Sequence, residues 1–102
     1  MLELRPNCEL CDRDLPPDSL DARICSYECT FCADCVDHRL FNVCPNCGGG
    51  FTNRPIRPST AWRSGVSVHL QPATASRTNN TSDRDDIDDF TRKIRDIPPR
   101  DR

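Results

Sequence analysis

No apolar run in this chain approaches the roughly 20 residues that a helical membrane span requires. Its opening, Met1-Leu2-Glu3-Leu4-Arg5-Pro6, is charged and broken by proline, unlike a secretory signal. No membrane association is expected, and the chain reads as cytoplasmic. Apolar material is scarce as well: 35% hydrophobic residues, six aromatics and a mean hydropathy of -0.69 over 102 residues. That excludes a large core and leaves room for one small domain, of a size that usually needs metals, disulfides or a partner subunit to offset conformational entropy. A βαβ pattern is missing too, which argues against a thioredoxin-like redox role.

Cysteine takes the place of the missing core. Eight stand before Phe51, at Cys8, Cys11, Cys25, Cys29, Cys32, Cys35, Cys44 and Cys47, separated by 2, 13, 3, 2, 2, 8 and 2 residues. In a reducing cytosol, paired cysteines serve as metal ligands or redox groups more often than as structural disulfides. The C-x2-C spacing lets a tight turn put two sulfurs on one ion. Its most specific instance is Cys44-Pro45-Asn46-Cys47-Gly48-Gly49, where proline presets the turn and glycine tolerates the left-handed conformation that closes it. The eight cysteines predict two tetrahedral four-cysteine sites, each holding a structural zinc ion. Four thiolates leave no position for water or substrate, so no enzyme is expected. Structural zinc supplies about 10–16 kcal/mol of apparent binding free energy in peptides, more than so thin a core would give.

Two pairings are open. A sequential one, as in LIM domains, groups Cys8, Cys11, Cys25 and Cys29 apart from Cys32, Cys35, Cys44 and Cys47. An interleaved one groups Cys8, Cys11, Cys32 and Cys35 as site 1 and Cys25, Cys29, Cys44 and Cys47 as site 2. The ligand order resembles that of RING fingers, and the eight-residue gap before Cys44 is short for a LIM-like second finger; the interleaved pairing is favoured. The segment 33–41 lacks Gly and Pro and spaces Cys32, Cys35, Val36 and Leu40 along one side of a short helix. A cysteine knuckle facing a helix start resembles a treble clef. The expected fold is a small metal-bound α+β module, RING-like and cross-braced, with Leu10, Ile24, Tyr27, Phe31, Val36, Leu40, Phe41 and Val43 as its apolar core.

Rival chemistry is weaker. Cys29, Cys32 and Cys35, with Cys44-Pro45, resemble part of a ferredoxin ligand run, but an iron-sulfur cluster there leaves four cysteines unexplained. A rubredoxin-like iron site from Cys8, Cys11, Cys44 and Cys47 meets Asp12 where rubredoxin has glycine. His38 and His69 are expected at the surface. The carboxylates of 83–89 lack calcium-loop spacing and read as a solvated helix start.

Charge and composition shift after Phe51. Residues 1–51 carry four arginines against nine acids, a net -5, and eight thiolates on two divalent ions would add -4; such a core should repel nucleic acid. Residues 52–81 carry four arginines and no acid, rich in Ser, Thr, Asn and Pro, and are expected to be a disordered basic linker. Residues 82–98 form a possible amphipathic helix capped by Ser82, with a stripe of Ile87, Phe90, Ile94 and Ile97, ending at Pro98-Pro99 before a 99–102 tail. Its expected use is docking, on a partner or on the cysteine module.

The run from Leu4-Arg5-Pro6-Asn7-Cys8-Glu9-Leu10-Cys11 through Asp14-Leu15-Pro16-Pro17, Ala22-Arg23-Ile24-Cys25 and Cys44-Pro45-Asn46-Cys47-Gly48-Gly49 to Arg54-Pro55-Ile56-Arg57-Pro58 resembles a family of short bacterial cysteine-rich proteins, domain of unknown function 1272. The resemblance covers about residues 1–58 and implies a bacterial cytosolic module without an assigned activity. The RING likeness puts Leu10 and Pro45 where ubiquitin ligases have groove residues, but Gly48 replaces a commonly basic position, and fold analogy does not carry function. The expected role is a zinc-stabilised protein-interaction adaptor. The alternatives are an iron-sulfur or redox protein, and nucleic-acid binding through the basic linker. Neither the protein partner nor an oligomeric state is legible.

Overall fold

The computed structural model describes residues 1–102. Two three-residue strands, β1 (Ala22–Ile24) and β2 (Thr30–Cys32), form an antiparallel hairpin with Arg23 opposite Phe31. Its turn runs from Cys25 to Cys29: the Cys25 N–H reaches the Cys29 carbonyl at 3.1 Å, and Glu28 takes a left-handed φ of +68°. A third strand, β3 (Thr52–Asn53), pairs antiparallel with the free edge of β1, giving the order β2-β1-β3. The sheet therefore reaches beyond the expected module boundary at residue 51.

Helix α1 (Ala33–His38) follows β2 directly, with Cys32 as its N-cap. It stops short of the expected Phe41 because Leu40 N–H turns back to the Cys35 carbonyl at 2.8 Å and Phe41 and Asn42 are left-handed, φ +47° and +60°. Helix α2 (Arg84–Ile94) begins at Asp83, which makes no side-chain cap hydrogen bond, and a 3-10 turn covers Pro99–Asp101. No helix is long and apolar enough to cross a membrane.

The core is a cluster of cysteines and a few large side chains. Phe31, Leu40 and Val43 are fully buried and Val36 nearly so, as expected. Tyr27 and Phe41 are not core residues: Tyr27, in the hairpin turn, is 72% exposed, and Phe41, past the end of α1, is 44% exposed. Leu4, Leu15 and Ala22 fill the space instead, and Phe31 meets Phe51 edge to face at 5.4 Å. Burial of side chains of this size contributes about 1.5–3 kcal/mol each.

Arg54 closes this body. Its guanidinium is buried and donates to the carbonyls of Arg5 (2.8 Å), Leu15 (3.2 Å) and Pro16 (2.9 Å), tying the chain after β3 to two amino-terminal segments. Residues 54–83, which include most of the expected linker, hold no helix or strand. Contacts nevertheless join them to the module. Arg57 donates to the Leu2 and Gln71 carbonyls, Thr74 N–H to the Leu4 carbonyl, and Asn80 N–H to the Glu9 carbonyl. Arg77 pairs with Asp12 and Asp14.

Candidate metal centres

Two of the C-x2-C pairs adopt the same turn. Asp12 N–H returns to the Cys8 carbonyl at 2.9 Å and Cys8 N–H to the Arg13 carbonyl at 2.8 Å; Gly48 N–H returns to Cys44 at 2.7 Å and Cys44 N–H to Gly49 at 2.8 Å. The residue after each pair is left-handed, φ +66° at Asp12 and +80° at Gly48. Glycine meets that demand freely, whereas aspartate is one of the few other residues that tolerate it. Buried Asn7 steadies the first turn by donating to the Asp12 carboxylate at 3.0 Å and to the Thr78 carbonyl at 3.0 Å. The remaining cysteines come from the hairpin turn and the start of α1. Backbone N–H groups point at several sulfurs, from Tyr27 to Cys25 at 3.3 Å, Cys35 to Cys32 at 3.4 Å and Gly49 to Cys47 at 3.4 Å.

This framework brings Cys8, Cys11, Cys32 and Cys35 together, all four sulfurs within 4.8 Å of one another, and gathers Cys25, Cys44 and Cys47 within the same limit. None of the eight cysteines is joined in a disulfide. Cys29 lies beside the second group rather than inside it, its sulfur accepting from the Asn46 amide nitrogen at 3.4 Å. The groups interleave along the chain because α1 returns Cys32 and Cys35 to the first turn, leaving the Cys44–Cys47 turn against Cys25.

The first group fits a single tetrahedral ion. A metal–sulfur bond of about 2.3 Å sets neighbouring sulfurs about 3.8 Å apart, and Cys11 and Cys32 stand at 3.8 Å. A cubane cluster places several iron and sulfide atoms between its thiolates and needs a wider cage. Burial, then neighbouring thiols, pushes Cys35 up strongly; burial also pushes up Cys8, Cys29 and Cys44. At Cys11 burial acts upward but is outweighed by the Arg13 N–H and the thiols of Cys8, Cys35 and Cys32, so its titration is lowered. A divalent ion among such thiols reverses the cost of their ionisation.

Two supporting residues have no sequence signal. Glu9, between two cysteines, is 2% exposed, accepts from Arg5 at 2.9 Å and from the Thr30 N–H, and so ties the first turn to β2. Asn46 touches Cys29 and is held in turn by Asn80, whose amide donates to it at 2.9 Å. His38 and His69 are exposed, away from both groups.

Fold and site together define a small cysteine-rich α+β protein with two potential metal clusters. Residues 1–57 match the family described as protein of unknown function (DUF1272), and the chain belongs to that family. It is 65% identical over 60 residues to an uncharacterized protein of Rhizobium meliloti (strain 1021), an alignment covering 59% of this chain and 71% of that relative. No solved structure matches the chain.

Proposed function

We propose that the chain is a structural two-zinc module of treble-clef, RING-like form that serves as a small cytoplasmic protein-interaction adaptor and not as an enzyme. The observation that carries the metal reading is the four-sulfur group of Cys8, Cys11, Cys32 and Cys35, with its 3.8 Å tetrahedral edge. The second ion takes Cys25, Cys44 and Cys47, with Cys29 moving from Asn46 to complete it. In each site four thiolates saturate the ion, which then holds loops together instead of activating water. The turn–hairpin–helix order around the first group supports the treble-clef form. Leu20, Tyr27, Trp62 and Leu70 are large apolar side chains exposed at the surface and open to a partner.

A single iron would fit the same four sulfurs, since tetrahedral thiolate sites suit both metals. Elemental analysis separates the two: zinc at two per chain supports the proposal, and iron at either site refutes the zinc assignment. Nucleic-acid binding through residues 52–81 is disfavoured because three of that segment's four arginines are engaged internally, Arg54 and Arg57 on carbonyls and Arg77 on Asp12 and Asp14.

A further inference from the structure

The carboxy-terminal segment lies beyond the residues that match the family, yet it packs on the second cysteine turn. Phe90 and Ile94 of α2 reach Gly48, each with a carbon 3.6 Å from where a β-carbon would stand. Ile87, earlier on the helix, joins the buried cluster against which Leu10 packs. Arg95 stacks on Phe41, its guanidinium carbon 4.8 Å from the ring centroid, and Arg102 donates to the Asn42 and Gly48 carbonyls at 2.7 and 3.2 Å. Ile87, Phe90 and Ile94 thus occupy the i, i+3 and i+7 anchor positions of a helix lying in a groove. The groove is the face made by Leu10, Phe41 and Gly48.

The seat is imperfect. Of the eleven residues of α2, Ile87 and Thr91 are the buried ones. A cleft of about 140 Å³, bordered also by Asn80, Ser82 and Arg84, opens where Leu10 and Arg39 meet Ile87 and Asp88. Thr91, one turn after Ile87, is buried with its hydroxyl lacking a hydrogen-bond partner, which weakens the contact. The connection from 54 to 83 contains no helix or strand, so releasing α2 breaks no ladder outside itself. Elements with few buried contacts open at low free-energy cost.

We infer that the Leu10–Phe41–Gly48 face is a groove for a helical segment of a partner protein, and that α2 is its displaceable occupant within the same chain. The partner helix carries large apolar side chains at i, i+3 and i+7, a small apolar residue at i+4 where Thr91 stands, and a cation at i+8 that stacks on Phe41. The inference rests on the adaptor reading and gives it a surface.

The test uses the full chain bearing Phe90→Asp and Ile94→Asp, with metal content measured on the same sample, titrated with a fluorescently labelled synthetic peptide of residues 82–102. Saturable anisotropy is expected, at least about tenfold tighter than for the unaltered protein, and a Thr91→Val peptide should bind about tenfold tighter again. Equal binding to both proteins, or none to the metal-loaded double variant, overturns the inference. Peptide capture by a protein without metal would support the groove while contradicting the zinc reading. Should the double variant fail to fold, amide exchange on the unaltered chain decides: α2 should exchange at least about a hundredfold faster than β1 and β2. Exchange of all three at one global rate overturns it.

Discussion

Cys32→Ser separates a ligand from a merely buried residue. Cys32 is fully buried and caps α1, its sulfur accepting the Cys35 N–H at 3.4 Å. Serine is nearly isosteric and among the best N-cap residues. Were Cys32 only a cap in a packed core, the change would fall within about 1 kcal/mol of neutral. As one of four thiolates it behaves differently. Dividing about 10–16 kcal/mol of zinc binding evenly among four ligands assigns about 2.5–4 kcal/mol to each. In a domain near 100 residues, 1 kcal/mol shifts the melting temperature by about 4–8 °C, so a fall of about 10 °C or more is expected. Circular dichroism melts of the metal-loaded proteins, with native mass spectrometry for stoichiometry, read both effects. Retention of two ions and a melting temperature within about 4 °C of the unaltered protein would refute the reasoning.

Other perturbations give distinct outcomes. Arg54→Ala leaves the Arg5, Leu15 and Pro16 carbonyls without their buried donor; denaturant titration should show a loss of about 3 kcal/mol, and Arg54→Lys, lacking the planar fork, should recover little of it. Gly48→Ala meets only ordinary contacts at 3.6 Å but must hold φ +80°, so it should cost about 1–2 kcal/mol from backbone strain alone. The pH dependence of stability should have opposite signs with and without metal. Burial raises the Cys8, Cys29, Cys35 and Cys44 thiols above their ordinary value of 9.0. In the chelated protein those groups keep their protons as the unfolded thiols lose theirs, so stability falls as pH rises past about 9. In the loaded protein the ion holds thiolates far below that value, and stability falls as pH drops below neutral. Melting curves across pH with and without chelator check both slopes; parallel slopes would contradict the metal assignment.

The legibility of the chain follows the range of the interactions. The C-x2-C turns at Cys8–Cys11 and Cys44–Cys47 are local, so spacing, proline and glycine announce them. Helix α1 is visible because 33–41 lacks breakers and repeats at helical spacing, and the α2 stripe is visible for the same reason. Strands of two or three residues are too short to show alternation, so the sheet is not. Tyr27 and Phe41 read as core because they are aromatic, but each sits at a turn where the backbone points it outward. Arg54 and Glu9 are buried charges that meet backbone groups up to 49 residues away, and no periodicity encodes such contacts. Cys29 marks the limit within the site: spacing counts it as a fourth ligand, while its sulfur lies beside the other three and accepts from the Asn46 amide.

The central claim, that eight cysteines hold two structural zinc ions, is tested most directly by native mass spectrometry after anaerobic purification without added metal, with elemental analysis of the same sample. The expected result is two zinc ions on every chain, both released by chelation with a large fall in melting temperature. A metal-free chain lighter by the hydrogens of disulfide formation, or a chain carrying iron and sulfide, would contradict it.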